Sequence, residues 1–272
     1  MKKSSLPLAL LQILFTDFRA FLKNLFHFTI LHKSKKIVTN RHQLPKGFPT
    51  LDLLTLFPNF EEEVINYTYL DGTSRLIDLA VLRAACKMYE DCEYLEIGSW
   101  RGESLSNVAQ AASSVTSISL SAVEMKQMGW AKEAEFQRLF SKDLPNVEHI
   151  ETNSLTFDFD NWGRKFDVIF VDGDHAYDAV KSDTANVFKL LKNEQSIILW
   201  HDTTRNYETP RWEVVAGILD GAPKEARSKI YHLSNCLISA YIPWDIETHF
   251  PPSPQVPNKT FSVKISASEF SA

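Results

Sequence analysis

The stretch from Tyr94 to Ser104 constrains the fold of this 272-residue chain more than any other. It begins as a short apolar strand, breaks at Gly98, passes through a turn and enters a helix. The helix carries apolar residues at i, i+3, i+4 and i+7 spacing, namely Leu105, Val108, Ala109 and Ala112. This spacing is typical of a helix that packs against a sheet. The stretch therefore predicts an α/β protein in which a ligand lies close to bare backbone and to free helix N–H groups.

The spacing of the glycines indicates which ligand the turn binds. A dinucleotide-binding turn needs G-x-G-x-x-G, whereas Trp100 stands at the middle glycine position here. The acidic residue, Glu96, precedes the turn instead. The resulting pattern E-x-G-x-x-x-G-x-S resembles the first motif of class I S-adenosylmethionine-dependent methyltransferases, in which the turn wraps the methionine and ribose part of the cofactor. An NAD-dependent oxidoreductase is the less favoured alternative.

Strands and helices alternate through the rest of the chain. Further strands are predicted at 115–120, 147–152, 166–171 and 196–200, with two strand-like pieces within 230–242 and a last one at 260–266. Helices are predicted at 75–88, 132–140 and 176–191, and one more begins at Thr209-Pro210 and ends near Gly221. Repeated βα units predict a mostly parallel sheet with helices on both faces.

Polar residues follow the predicted strands at their carboxyl ends, where such sheets bind ligands. The segment from Phe170 to Tyr177 contains D-G-D-H-A-Y, and Leu199-Trp200-His201-Asp202 follows the next strand. Together with the first motif, these segments closely resemble the small bacterial methyltransferase family with a D-G-x-H-x-Y segment (methyltransferase 24-like), over about 75–242. The resemblance implies a Rossmann-like class I methyltransferase fold and methyl transfer from S-adenosylmethionine.

The resemblance also implies which residues hold the cofactor. The first motif places Glu96, Gly98, Gly102 and Ser104 at the cofactor, with Ser99 and Trp100 in the same loop, while Asn153, Ser154 and Asp172 follow later strands. One departure concerns the second strand, where many relatives carry an acidic residue that binds the ribose hydroxyls. Ser119 or Ser121 occupies that region here, and Glu124 is the nearest carboxylate that could replace it.

The chemistry is expected at Asp172, His175 and Asp202, because the fourth and fifth strands should end side by side. In one version Asp172 and Asp202 hold Mg²⁺, as in the catechol-type O-methyltransferases that this arrangement is similar to. Thr203 then stands where those enzymes have an amide ligand. In the other version no metal is used and His175 is the general base, since histidine titrates near neutral pH.

The chain is expected to comprise an amphipathic helical extension (1–43), a linker and lead-in (44–74) and a methyltransferase domain (75–272). One face of the first helix is apolar, and Lys33, Lys35 and Lys36 follow it. The apolar residues are Leu11, Leu14, Phe15, Phe18, Phe21, Leu22 and Leu25. Charged residues interrupt the run, so the helix is expected to pack on its own domain, form a homo-oligomer or lie on a membrane surface, but not to cross it.

Composition limits the partners of the chain. A net charge of -5 gives no electrostatic reason to expect nucleic acid. Three cysteines without metal spacing indicate buried thiols in a reducing, cytoplasmic compartment. The sequence thus predicts methylation of a small-molecule hydroxyl, on a sugar or a natural product. The alternative is a non-catalytic cofactor-binding protein whose N-terminal helix binds a partner or a membrane, which the serine at position 119 keeps open.

Overall fold

The computed structural model describes residues 18–270, which form an eight-stranded, mostly parallel sheet. The strands are β1 (Thr50–Leu51), β2 (Glu93–Ile97), β3 (Ser114–Ser119), β4 (Val147–Glu151), β5 (Val168–Val171), β6 (Ile197–Trp200), β7 (Ile230–Leu233) and β8 (Ser239–Tyr241). Their order across the sheet is β1-β7-β8-β6-β5-β2-β3-β4. Only β8 runs antiparallel to its neighbours, β6 and β7. The predicted doubly covered, mostly parallel fold is confirmed.

Seven α-helices lie within the described residues. They are α1 (Phe18–Lys36), α2 (Leu53–Leu56), α3 (Leu76–Cys86), α4 (Glu103–Val108), α5 (Ala122–Gln127), α6 (Tyr177–Val187) and α7 (Trp212–Gly221). A π-helical turn, Ile37–Arg41, continues α1. Helices in the connections between the parallel strands pack on both faces of the sheet, so an apolar layer lies on each face.

The central strands are buried on both faces, which explains why they are almost continuously apolar. On one face Tyr94 of β2 packs with Phe170 and Leu199 in a core that also contains α3 and α4. On the other face Leu95 packs with Trp200 in a core that contains α6 and α7. Successive residues of one strand thus enter opposite cores, as the pleat of a β-strand requires.

Three local predictions were wrong. Residues 132–140 form only a short 3₁₀ turn, Glu133–Phe136, and residues 260–266 have no regular structure. The helix expected at Thr209-Pro210 begins at Trp212, because Pro210 bridges Thr204 within the preceding loop. The end of that helix at Gly221 and the two strands within 230–242 are as predicted.

Helix α1 packs against α7 through its C-terminal half, where Ser34 is buried, and the following Val38 is buried as well. Arg41 and His42 both contact the carboxylate of Asp220 on α7, at 2.8 and 2.7 Å.

The segment 44–74, expected to be a linker, contributes the edge strand β1. Leu11, Leu14 and Phe15 of the predicted apolar face lie outside the described residues. Within 18–270, no helix combines the length and apolar character needed to cross a membrane, and all three cysteines are free and buried.

Candidate functional site

Four neighbouring strands, β3, β2, β5 and β6, bring the predicted motifs to one edge of the sheet. Ser119, Gly98, Asp172 and His201 stand there in that order. Backbone hydrogen bonds continue the ladder past the strand ends, since the Asp172 amide donates to the Ile97 carbonyl (2.8 Å) and the His201 amide to the Val171 carbonyl (3.0 Å). The glycine turn and the Asp-His segments therefore form one continuous edge.

Other parts of the protein pack directly against the two glycines of the turn. Gly98 has φ +90°, and a Cβ there would clash with the backbone of Asp172 and Gly173. Gly102 has φ +84°, and its Cβ would clash with Ser141. A larger residue at either position would therefore disturb the backbone of the turn. A Gly98→Val substitution would change the local fold as well as any contact with a ligand, so it does not test ligand binding on its own.

The outer side of the turn is braced by the segment that precedes α3. Arg101 and Glu103 are buried and paired at 3.2 Å, and Thr73 donates its hydroxyl to Glu103 at 3.1 Å. The Trp100 ring stacks on the Arg101 guanidinium at 4.3 Å, and its Nε1 donates to the Glu133 carbonyl at 2.8 Å. Trp100 and Arg101 thus fix the shape of the loop.

Glu96 lies beneath the turn and binds within the protein. Its Oε1 accepts the Ser104 hydroxyl at 2.7 Å and its Oε2 accepts the Tyr94 hydroxyl at 3.0 Å. Burial raises the pKa of Glu96 to about 8, and the nearby charge of Asp172 adds to this, although the Ser104 hydrogen bond opposes it. Glu96 is therefore mostly protonated at pH 7 and ties the end of β2 to the first turn of α4.

A buried histidine joins two carboxylates at the end of β6. Nδ1 of His201 lies 3.1 Å from Asp172 Oδ1, and its Nε2 lies 3.1 Å from Asp78 Oδ2. Burial alone would lower the pKa of His201, but the charges of and hydrogen bonds to Asp172 and Asp78 outweigh burial and raise that pKa well above its usual value. Burial likewise opposes ionisation of Asp172, but His201 and His175 hold its pKa well below the usual range. His201 is therefore an imidazolium between two carboxylates.

His175 approaches the same cluster from the loop after β5. Its Nε2 lies 3.2 Å from Asp202 Oδ2 and 3.6 Å from Asp172 Oδ1. That nitrogen is buried and meets no partner in hydrogen-bond geometry. Asp202, which has the strained φ of +54°, is itself bound by Arg211 at 2.7 Å. The three predicted catalytic residues thus converge, with Nε2 of His175 facing both carboxylates.

The cluster does not fit Mg²⁺. Within the described residues, the set that could share an ion is Asp172, His175 and His201. Mg²⁺ prefers oxygen ligands, whereas this set offers two imidazoles, and both ring nitrogens of His201 already contact carboxylates. Asp202, the second predicted ligand, is paired with Arg211 instead.

Two buried hydroxyls at the edge have no hydrogen-bond partner within the described residues. The hydroxyls of Ser99 and Ser119, at the ends of adjacent strands, are buried without hydrogen-bond partners, and unpaired buried hydroxyls are costly unless a ligand or water satisfies them. Glu124 does not replace a ribose-binding carboxylate, because it bonds back to Ser121 in a capping box. Asn153 accepts the Leu155 amide at 3.0 Å and shapes the loop after β4.

Ser154 forms a hydrogen bond with the carboxylate of Asp183, a residue that the sequence analysis did not identify. Asp183 of α6 is 1% exposed, and one of its oxygens has no partner. Burial raises the pKa of Asp183 to about 6; the Ser154 hydrogen bond opposes this, and the charge of Asp174 adds to it. An ionised Asp183 therefore costs stability at neutral pH.

We expect Asp183→Asn to raise the free energy of unfolding at pH 7 by about 2–3 kcal/mol. The folded-state pKa of about 6 exceeds the ordinary pKa of an aspartate, about 3.9. The wild type therefore loses stability as pH rises from about 4 to about 6, and the asparagine does not. Urea unfolding at pH 7 and pH 3.5 measures this, with Asp178→Asn on the same helix as control. A gain that is equal at both pH values, or absent at pH 7, would contradict the assignment.

Comparison with known proteins agrees with the sequence motifs. Residues 95–203 match the model of a family described as "Methyltransferase domain", the methyltransferase 24 family. The resemblance seen in the sequence is thereby confirmed. No curated protein matches the chain.

The solved structures that the chain resembles include several at low sequence identity. CalS10, an amino pentose methyltransferase from Micromonospora echinaspora, is 15% identical with a TM-score of 0.35, over 52% of this chain and 58% of CalS10. An O-methyltransferase from Bacillus cereus in complex with SAH is 18% identical with a TM-score of 0.43, over 70% of this chain and 87% of the other. Cofactor-bound Rv0187 from MTB is 15% identical with a TM-score of 0.45, over 65% and 84%. The chain thus spans less than two thirds of the length of CalS10.

Proposed function

We propose that this chain, which carries a methyltransferase domain over residues 95–203, transfers a methyl group from S-adenosylmethionine to the hydroxyl of a small molecule such as a sugar or a natural product. One observation carries the proposal. The E-x-G-x-x-x-G-x-S turn lies directly against the backbone of Asp172, at the sheet edge where His175 and Asp202 also converge. A cofactor-binding turn and a proton-accepting group are thus neighbours.

When bound, the cofactor supplies an electrophilic methyl group. The chain's own residues then have two tasks, which are to position the acceptor and to remove its proton. His175 is the acceptor for that proton. Its buried Nε2 faces Asp202 at 3.2 Å and Asp172 at 3.6 Å, and these carboxylates stabilise the imidazolium that forms when the other ring nitrogen, Nδ1, takes up the proton. Arg211 holds Asp202 in place, and His201 keeps Asp172 ionised.

The two rival functions differ from this one in measurable ways. A non-catalytic cofactor-binding protein would use the same turn but would need no unpartnered histidine beside it. An NAD-dependent oxidoreductase would need backbone room at the middle glycine position, where Trp100 stacks on Arg101. The Trp100 contact therefore favours the methyltransferase over the oxidoreductase.

A thermal-shift series with S-adenosylmethionine, S-adenosylhomocysteine and NAD tests the proposal. At about 100 times its dissociation constant, a ligand that binds the folded chain adds roughly 2.7 kcal/mol to stability. For a chain of this size that corresponds to an increase in Tm of about 5–10 °C. We expect this increase with the two methyl-transfer ligands and no increase with NAD. An increase with NAD alone would support the oxidoreductase instead.

A further inference from the structure

The outward face of α1 is apolar. Phe18, Leu22 and Leu25 fall on one side of the helix and are 57%, 46% and 51% exposed, and Phe26 and Phe28 beside them are 69% and 66% exposed. The side that faces α7 instead carries the buried Ser34. A helix that only covered its own domain would turn its apolar residues inward. Among residues 18–270, nothing covers the apolar side of α1.

The same helix is strongly basic. From Phe18 to Arg41 the sequence contains no acidic residue, whereas it contains Arg19, Lys23, Lys33, Lys35, Lys36 and Arg41. The chain as a whole has a net charge of -5, so the acidic excess lies elsewhere. Lys35 lies over the Trp212 ring at 5.4 Å and Arg41 pairs with Asp220. Within residues 18–270, Lys23, Lys33 and Lys36 are exposed and form no ion pair.

Lys33 and Lys36 lie along the apolar face, whereas Lys23 lies on the far side of the helix. At 100° per residue, Lys36 falls in line with Phe18, and Lys33 falls beside Leu22. His32, Lys33 and Lys36 also line an open depression of about 600 Å³ at this end of the helix. The 19-residue helix is about 28 Å long. One side of it thus offers an apolar surface that ends in a cluster of cations.

From this arrangement we propose that α1 binds the surface of an anionic lipid membrane, with its aromatic and leucine side chains at the acyl boundary and Lys33 and Lys36 at the headgroups. The occupant must be apolar along most of the helix and negatively charged at one end, which a bilayer with anionic headgroups satisfies. A second copy of the chain, paired through the same face, offers no acidic residue of its own α1 to these lysines. The inference is independent of the proposed methyl transfer.

Sedimentation of the full-length protein with vesicles tests this proposal. We expect binding to vesicles of phosphatidylcholine with 30% phosphatidylglycerol, and little binding to phosphatidylcholine alone. Lys33→Gln with Lys36→Gln should weaken binding by about 30-fold, or roughly fivefold for each lysine near the surface. Leu22→Glu with Leu25→Glu should abolish binding. Val123→Glu with Met128→Glu, at positions 64% and 55% exposed on and after α5, is the matched control and should leave vesicle binding at the wild-type level.

Two further readouts separate the outcomes. Circular dichroism and S-adenosylhomocysteine affinity should stay at wild-type values in the α1 variants, because those positions are exposed and lie on a helix that packs against α7. Equal binding to neutral and anionic vesicles would overturn the role of the lysines. Binding to neither vesicle would overturn the proposal, and a dimer that Leu22→Glu with Leu25→Glu dissociates would then identify a second copy as the occupant.

Discussion

Replacing His175 by alanine is expected to lower turnover by about 10²–10⁴-fold, the usual contribution of a general base. The physical reason is that Asp202 and Asp172, at 3.2 and 3.6 Å from Nε2 of His175, stabilise the imidazolium that forms when Nδ1 of the same ring accepts the proton. The fall should appear in kcat, with S-adenosylhomocysteine affinity unchanged, since the residue acts on the acceptor. Transfer of a labelled methyl group to an acceptor found by screening hydroxyl compounds measures it.

Controls separate this role from general damage. His249→Ala removes an exposed histidine and should leave turnover at the wild-type level. His175→Gln keeps hydrogen-bonding capacity but no basicity, so it should be nearly as slow as alanine. Chelators should have no effect on turnover, because the cluster does not fit Mg²⁺. Turnover that survives His175→Ala but disappears on chelation would restore the metal version.

Replacing Asp78 by alanine is expected to cost about 3–5 kcal/mol of stability, because it leaves the buried His201 charge with one partner fewer. Asp78 Oδ2 contacts His201 Nε2 and accepts the Arg75 amide at 2.9 Å, and its Oδ1 accepts the Leu237 amide at 2.9 Å. The substitution thus breaks an ion pair, a helix cap and a contact with the loop between β7 and β8. Denaturant unfolding at pH 6 measures the loss.

The pH dependence of the loss identifies the ion pair. The pKa of His201 is raised in the folded state, so its stabilising contribution is complete below the unfolded value of about 6.5 and is lost as pH rises through the folded value. The difference between wild type and Asp78→Ala should therefore shrink at alkaline pH. Asp91→Ala, at an exposed position, should change stability by less than about 0.5 kcal/mol. A loss below 1 kcal/mol for Asp78→Ala would contradict the buried pair.

Local periodicity in the sequence was sufficient to predict the sheet, but not the hydrogen-bonded cluster of Asp172, His201 and Asp78 at the carboxyl ends of its strands. Buried parallel strands are continuous apolar runs, so β2, β5 and β6 were visible in the sequence. The same applies to the convergence of Asp172, His175 and Asp202, because carboxyl ends of parallel strands share one edge. The start of α7 was misplaced, although a Thr-Pro pair normally favours a helix start. Here Pro210 instead forms a β-bridge with Thr204, and the helix begins two residues later.

The residues that sequence reasoning missed act across long separations. Asp78 is 123 positions from His201, and no short-range spacing links a carboxylate in α3 to a histidine after β6. Asp183 looked like an ordinary polar position of an amphipathic helix, and only its burial beside Ser154 shows that it is unusual. Arg211 was likewise not predicted to bind Asp202, which removes that carboxylate from a metal site. Tertiary contacts decide such roles, whereas local patterns do not encode them.

The most direct test of the central claim is amide hydrogen exchange of the full-length protein with and without S-adenosylhomocysteine. Exchange reports local opening, which a bound ligand suppresses where it contacts the backbone. The account predicts slower exchange in peptides that contain Gly98 to Ser104, Ser119 and Asp172 to His175, with no change in α1. Protection confined to other segments, or the same protection by NAD and none by S-adenosylhomocysteine, would contradict a methyl-transfer site at this edge of the sheet.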